Sequence, residues 1–351
     1  MSLTRRRRRT TIGDVARLAG VSNGAVSLAV NGRAGLAEVT RQRIIVAADE
    51  LGWRPSIGAR ALLSSRAFAV GLILARQPEL LGADPFFPSF IAGVESELAH
   101  RGYSLVLQVV PDDPTTVAAA YRRVAQEGRV DGVFLTDLRV RDVRLPLVQE
   151  LGLRAVAVGL PAERTTVPTV MIDDRLGVRQ AVDHLVSLGH RRIAFVQGPP
   201  EYVHSASRMD AWRQALQGSG LPAGPVEAAD FTGPGGAVAM ARLLKADKRP
   251  TAVVFANDIM AIAGMSVASQ AGLDLPRELS IVGFDDVPLA AHVNPPLTTV
   301  RQDVIAWGRA AAAALLSVVE DREPLIVPLP PSQLVLRAST APVPGHGEED
   351  G

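Results

Sequence analysis

The sequence predicts an α/β protein: a small N-terminal head of short helices, then a large body of doubly wound parallel sheets. Three observations carry this. Residues 11–52 hold three short apolar stripes at helical spacing, each closed by a glycine or an Asn-Gly pair. From Phe68 onward, short apolar runs alternate with helical stretches, the texture of parallel strands covered on both faces. Charge is divided to match: residues 1–66 carry a net +8 and the remainder −7, although the 351-residue chain sums to only +1.

Composition narrows the class. A hydrophobic fraction of 47% with 21% charged residues is an ordinary globular balance and excludes disorder as the main state. Without cysteine there is no disulfide scaffold, thiolate metal site or cysteine nucleophile. No apolar run approaches the roughly 18 residues that span a bilayer. The basic start, Arg5–Arg9, is followed by TTIGDVARLAG, which has no apolar leader core. The expectation is a soluble, cytoplasmic protein.

In the head, Thr11 can cap a first helix whose Ile12, Val15, Ala16 and Ala19 share a face, and Gly20 stops it. Ser22 caps a second helix with Ala25, Val26, Ala29 and Val30 apolar, ended by Asn31-Gly32. A third stripe, Ile44, Ala47, Ala48 and Leu51, ends at Gly52. Two helices joined by a tight Ala-Gly-Val-Ser turn and completed by a third make a helix-turn-helix unit. A basic run alone would equally suit a solvated tail. With this spacing, it points to a polyanionic partner, double-stranded DNA. Residues 55–66 follow, separated by Pro55 and weakened by Gly58, and read as a linker that orders only when packed on something.

Strands are expected in the body at 69–74, 104–109, 132–135, 155–158, 169–172, 192–196, 252–255 and 279–282. Helices are expected at 90–101, 117–127, 176–188, 206–218 and 259–271. That number of strands suits two doubly wound lobes, with a closed (β/α)8 barrel as the competing architecture. Residues 341–351 are polar, rich in Pro and Gly, and expected to be disordered.

Catalysis finds little support. The acid pairs Asp173-Asp174 and Asp285-Asp286 would point to opposite faces of a strand. The six histidines (100, 184, 190, 204, 292, 346) show no metal-ligand spacing. There is no P-loop and no GxSxG elbow. No enzyme activity, cofactor or metal is expected.

The head blocks Thr11–Ser22, Ala25-Val26-Ser27, Val30-Asn31-Gly32, Thr40-Arg41 and Leu51–Pro55 resemble the lactose-repressor family of bacterial transcriptional regulators. So do Ile172-Asp173-Asp174, Leu188–Ile193, Phe255–Asp258, Val282–Asp286 and Pro295–Val300, in order across about 11–338. The resemblance implies a homodimeric repressor with a hinge helix and a two-lobed body like periplasmic sugar-binding proteins, the chain crossing between lobes three times. Two lobes are therefore preferred to the barrel. The implied layout is a basic arm at 1–10, a DNA-binding domain at 11–54, a hinge at 55–66 and an effector-binding and dimerisation body at 67–340. The lobes are expected at about 67–163 plus 290–325, and 164–289 plus 326–340.

Site residues carry over position by position. Thr11, Ile12, Ser22, Asn23, Gly24, Ala25, Ser27 and Leu28 are expected at DNA, with Asn23 able to reach a base edge. The family often has Thr before the Val and a polar or basic residue at Leu28; both departures shift weight to methyl contacts or DNA shape. Ala37 replaces a usual capping Ser. Asn31, Arg33, Thr40 and Arg41, with the arginine arm, are expected at phosphates. In the hinge, Ser56, Ala59 and Leu62 complete the set, Leu62 matching a leucine that wedges into the minor groove. For the effector, Asp285, Asn257 and Arg208 match hydroxyl-contacting positions, and Phe231 an aromatic that packs on the ligand. Phe86, Phe87, His204 and Asp137 are further candidates. The implied ligand is a sugar or sugar derivative, with a purine-like corepressor, or an exported solute-binding receptor, as alternatives.

Overall fold

The computed structural model describes residues 10–30, 35–54, 66–76, 85–324 and 328–343. The arginine arm, Asn31, Arg33, the hinge positions Ser56, Ala59 and Leu62, and the tail beyond 343 lie outside the described residues. The chain divides into two compact units, Met1–Phe68 and Ala69–Gly351.

The first unit holds α1 (Ile12–Ala19), α2 (Asn23–Val30) and α3 (Glu38–Glu50). Thr11 and Asp14 form a reciprocal capping box at α1, and Gly20 closes it in the left-handed conformation. Ser22 Oγ accepts from Ala25 N at 3.2 Å at the start of α2. Ala37 gives α3 no side-chain cap. Val15, Ala16, Ala19, Val26, Ala29, Ile44, Ala47 and Ala48 are buried together, so all three stripes meet in one small core.

The second unit contains two sheets. The first is built from β1 (Ala69–Ala75), β2 (Ser104–Val110), β3 (Gly132–Leu135), β4 (Ala155–Val158) and β5 (Thr169–Val170), in the order β2-β1-β3-β4-β5. The second uses β6 (Ile193–Gln197), β7 (Val226–Ala228), β8 (Ala252–Phe255), β9 (Ser280–Asp285), β10 (Thr298–Arg301) and β11 (Gln333–Val335), in the order β11-β10-β9-β8-β6-β7. All pairings are parallel except β10 with β11. These are two open sheets, each with its own strand order, and the barrel is excluded. Helices α4 (Phe86–Arg101), α5 (Pro114–Glu127) and α6 (Arg144–Glu150) belong to the first lobe. Helices α7 (Arg175–Ser187), α8 (Val203–Gly218), α9 (Gly233–Leu244) and α10 (Asp258–Gln270) belong to the second.

Three crossings join the lobes, displaced from the expected boundaries. β5 pairs with β4, so the first crossing falls after Val170 rather than near 163. β10 pairs with β9, so residues to Arg301 stay in the second lobe and do not leave it at 290. The chain then enters α11 (Val304–Val319), which packs on α4 in the first lobe, and returns to β11. The α4–α11 contact is a near backbone-to-backbone approach. A Cβ on Gly93 would lie 2.1 Å from the Ile305 carbonyl oxygen, and one on Gly308 would lie 2.3 Å from that of Phe90. Only glycine permits this.

The structure predicts opposite effects for two glycine substitutions. Gly308→Ala should lose about 1–3 kcal/mol of stability in denaturant titration, the usual cost of overpacking. Gly218→Ala, where a Cβ meets nothing within 4 Å, should be neutral or slightly stabilising. Equal losses would show that the α4–α11 approach is not sterically limited.

Candidate functional site

The C-terminal ends of both sheets open into one cleft of about 460 Å³, the expected place for a ligand in open parallel sheets. From the first lobe it is lined by Arg76 after β1, Asp137 after β3 and Gly159 after β4. From the second it receives Asn257 after β8 and Asp285 at the end of β9. Helix α8 adds His204, Ser207 and Arg208, whose i, i+3, i+4 spacing puts them on one face. Gln302 and Trp307 reach the cleft from the crossing into α11.

Arg208 is buried and held on three sides. Its Nε donates to Asp174 Oδ2 at 3.1 Å, its Nη1 donates to the Ala256 carbonyl at 2.7 Å, and its guanidinium lies 3.6 Å from the Phe284 ring centroid. Arg76 grips Asp137 through two parallel bonds of 2.7 and 3.0 Å. The backbone of Asp137 is left-handed, with φ 48°. Arg144 supports it from behind by donating to the Asp137 carbonyl at 2.9 Å. At the cleft's edge the lobes share backbone bonds: Val140 N donates to Glu201 O at 2.9 Å, and Val203 N donates to Leu138 O at 2.8 Å.

The aromatic wall is equally specific. The Phe231 ring lies on Gly198, where a Cβ would come within 2.0 Å of it. His204 stacks on both Phe231 and Tyr202, with centroids 5.4 and 5.5 Å apart. Asn257 Oδ1 caps α10 by accepting from Met260 N at 2.9 Å, while its Nδ2 donates to the Phe231 carbonyl at 3.0 Å. It therefore fixes Phe231 as well as facing the cleft. Trp307 donates to the Val170 carbonyl at 2.8 Å and meets Phe86 edge to face.

Protonation follows burial. Burial opposes the Asp137 carboxylate, but Arg76 beside it outweighs this and holds its pKa below the ordinary value. Asp174 goes the other way: burial raises it despite Arg208. His204 is pushed down to about 3 by burial, then by Arg208, and is neutral at pH 7.

Seven of the eight effector positions expected from sequence line the cleft: Phe86, Asp137, His204, Arg208, Phe231, Asn257 and Asp285. Phe87 does not. It is fully buried beneath the Arg76 guanidinium, 4.7 Å from ring centroid to charge, because the helical turn at Phe86-Phe87 sends the two rings in different directions. Trp307, Arg76, Gln302 and Asp174 were not anticipated. Strand-end position would have signalled Arg76, which directly follows β1. The acid pairs also differ from expectation. Asp173 and Asp174 lie beyond β5, and Asp285 and Asp286 form a left-handed turn with φ 115° and 53°. Asp173 and Asp174 both line the cleft, whereas of the second pair only Asp285 does. Asp286 pairs with Arg301 and Arg337, both at 2.5 Å.

On the head, Ser22, Asn23 and Gly24 form an exposed patch at the start of α2, and Thr11 is exposed beside it. Ile12, Ala25, Ser27, Leu28 and Thr40 are half-buried. Arg41 is half-buried, and its guanidinium donates to the Ala29 carbonyl at 2.9 Å and fastens α3 to the end of α2.

Residues 11–56 match the family described as bacterial regulatory proteins, lacI family, and residues 182–340 match a periplasmic binding protein-like domain. The chain is 35% identical over 329 residues to the HTH-type transcriptional regulator CelR of Thermobifida fusca, covering 91% of this chain and 95% of that one. The chain belongs to the LacI family. It is also 32% identical over 322 residues to the ribose operon repressor of Escherichia coli K12, covering 87% and 92% of the two chains. Among solved structures, a CelR–cellobiose complex superposes with a TM-score of 0.72 at 32% identity, covering 94% of this chain and 100% of that one. A lac repressor dimer bound to operator and the anti-inducer ONPF gives a TM-score of 0.80 at 26% identity, covering 95% and 100%. This LacI-family member is a DNA-binding transcriptional regulator, in a family of regulators and not of enzymes. No helix among the described residues is long and apolar enough to cross a membrane.

A pH prediction follows from His190. It is buried between the Thr251 and Ser280 hydroxyls, each at 3.0 Å, and burial pushes it down to about 4. The unfolded chain takes up this proton below about 6.5 while the native state refuses it until about 4. His190 therefore contributes stability above pH 6.5 that is lost as pH falls toward 4. His190→Gln should flatten that part of the stability–pH curve; an unchanged slope would show that the imidazole is not held neutral.

Proposed function

We propose that this regulator is a homodimeric, cytoplasmic repressor that binds a roughly two-fold symmetric operator and releases it on binding an uncharged sugar. The observation that carries the effector assignment is the chemistry of the cleft. Asp285, Arg208, Asp137 and Gln302 offer paired acceptors and donors for vicinal hydroxyls, and Phe231 and Trp307 offer apolar faces for a sugar ring. Five carboxylates (Asp137, Asp173, Asp174, Asp210, Asp285) face three guanidiniums (Arg76, Arg175, Arg208) among the lining residues, and His204 is neutral. A phosphorylated ligand would meet a net negative wall. The cellobiose in the CelR complex and the ribose operon of the E. coli relative support a sugar.

For DNA, the exposed patch at Ser22, Asn23 and Gly24 enters the major groove, with the neighbouring Thr11, Ile12, Ala25, Ser27 and Leu28 around it. Thr40, Asn31, Arg33 and the arginine arm serve phosphates. The hinge, with Ser56, Ala59 and Leu62, widens the minor groove. Effector binding shifts the lobes toward a state whose hinges no longer fit the operator, which requires a difference in effector affinity between the two states.

A fragment beginning at Ala69 should keep ligand binding and lose operator binding; operator binding by that fragment would refute the assignment. A thermal-shift screen of neutral sugars, sugar phosphates and nucleobases should find its best hit among the neutral sugars. Asp285→Asn should then lose about 1.5–3 kcal/mol of ligand affinity, the worth of a hydrogen bond to a charged acceptor. Undiminished binding by that variant, or a nucleobase as best hit, would overturn the effector reading.

A further inference from the structure

Asp285 stands on backbone that must be held from outside. The turn Asp285-Asp286 has φ values of 115° and 53°, in the region that favours glycine, at a place occupied by two side-chain-bearing residues. Gln302 donates to Asp285 Oδ1 at 3.0 Å, and Arg301 and Arg337 hold Asp286. The next residue is fixed differently: Val287 N donates at 2.9 Å to Oδ2 of Asp258. The other oxygen of that carboxylate accepts from the Thr299 hydroxyl at 2.5 Å.

Asp258 is fully buried and opens α10 immediately after Asn257. Its place is cut out of β9, where a Cβ on Gly283 would lie 2.1 Å from Oδ1. One carboxylate thus ties together the start of α10, the turn after β9, and β10, the strand that feeds the crossing at Gln302.

We propose that Asp258 is a positioning residue for the cleft: by accepting from Val287 and Thr299 it sets the Asp285-Asp286 turn and, through it, the aim of the Asp285 carboxylate. The consequence for effector binding rests on Asp285 being an effector contact.

Bonds donated by both Val287 N and the Thr299 hydroxyl suit the ionised acid. A proton on Oδ1 forces the Thr299 hydroxyl to reverse. It also turns the Val287 bond from charge-assisted to neutral, at roughly half the strength. Burial pushes this acid up to about 7, against the Thr299 and Val287 bonds that favour its charge. The charged groups around it are Asp286 from the turn, which raises it, Arg337 from the segment after β11, which lowers it, and Arg301 from β10, which is engaged with Asp286. The turn is therefore held firmly above neutrality and loosely below it.

The test is amide hydrogen exchange of the full-length protein, without ligand, between pH 6 and 8, corrected for intrinsic chemistry. Protection of the Val287 amide should fall roughly fivefold on acidification, the ratio between a charge-assisted and a neutral hydrogen bond. Asp258→Asn, close in shape to the neutral acid, should show the lower protection throughout and no titration. A flat wild-type profile, or the same titration in Asp258→Asn, would overturn the proposal. Should that variant fail to fold, Thr299→Val removes a bond that favours the ionised acid and should move the titration to higher pH; an unmoved titration would overturn the proposal. Because no ligand is present, the result is independent of whether the cleft takes a sugar.

Discussion

The cleft is organised around one buried cation. Arg208 comes from α8, yet its guanidinium satisfies Asp174 on the first crossing, the Ala256 carbonyl beyond β8 and the face of Phe284 in β9. A charge this deep is tolerated only with such a set of partners. Removing any one leaves the others poorly compensated, so the end of β8, the second lobe's ligand wall and the strand leaving the first lobe are fixed together. Arg76 plays the corresponding part in the first lobe, through its paired bonds to Asp137. Each lobe thus presents a guanidinium–carboxylate pair to the cleft. A hydroxylated ligand can exchange bonds with both pairs without leaving a bare charge behind.

That arrangement explains why the strand ends are conformationally costly. Asp137, Phe231, Asp285 and Asp286 all adopt positive φ without being glycine. Such backbone persists only where surrounding bonds over-determine it. Asp137 is fixed by Arg76 and Arg144, Phe231 by Asn257 and its seat on Gly198, and Asp286 by Arg301 and Arg337. Three of these four, Asp137, Phe231 and Asp285, line the cleft.

Much of this was legible before the structure. The head's caps and stripes and most body strands follow from local pattern, because strands buried on both faces read as continuous apolar runs. What stayed hidden has physical causes. Helix α11 is an apolar, Ala-rich run with most of its residues buried, so it does not read as a surface helix with one polar face, and Trp307 was hidden with it. Helix α9 begins Gly-Pro-Gly-Gly, which reads as a loop until Thr232 is seen capping it. β7 and β11 are short edge strands, and β10 opens with two threonines. For the cleft, the resemblance pointed to Asn257 and Asp285, and of the eight effector candidates Phe87 alone is not among the lining residues. Nothing local in the sequence shows that Arg41 donates to a carbonyl twelve residues away.

On the proposed reading, a neutral sugar held through Arg208 releases the head from DNA. This reading is tested most directly by titrating operator-bound full-length protein with neutral sugars and sugar phosphates, for the wild type and for Arg208→Lys. Lysine keeps the charge but cannot serve Asp174 and the Ala256 carbonyl from one planar fork. One neutral sugar should release the wild type, whereas Arg208→Lys should bind operator normally and stay bound at that concentration. Release of both proteins alike, or release of the wild type by sugar phosphates alone, would contradict it.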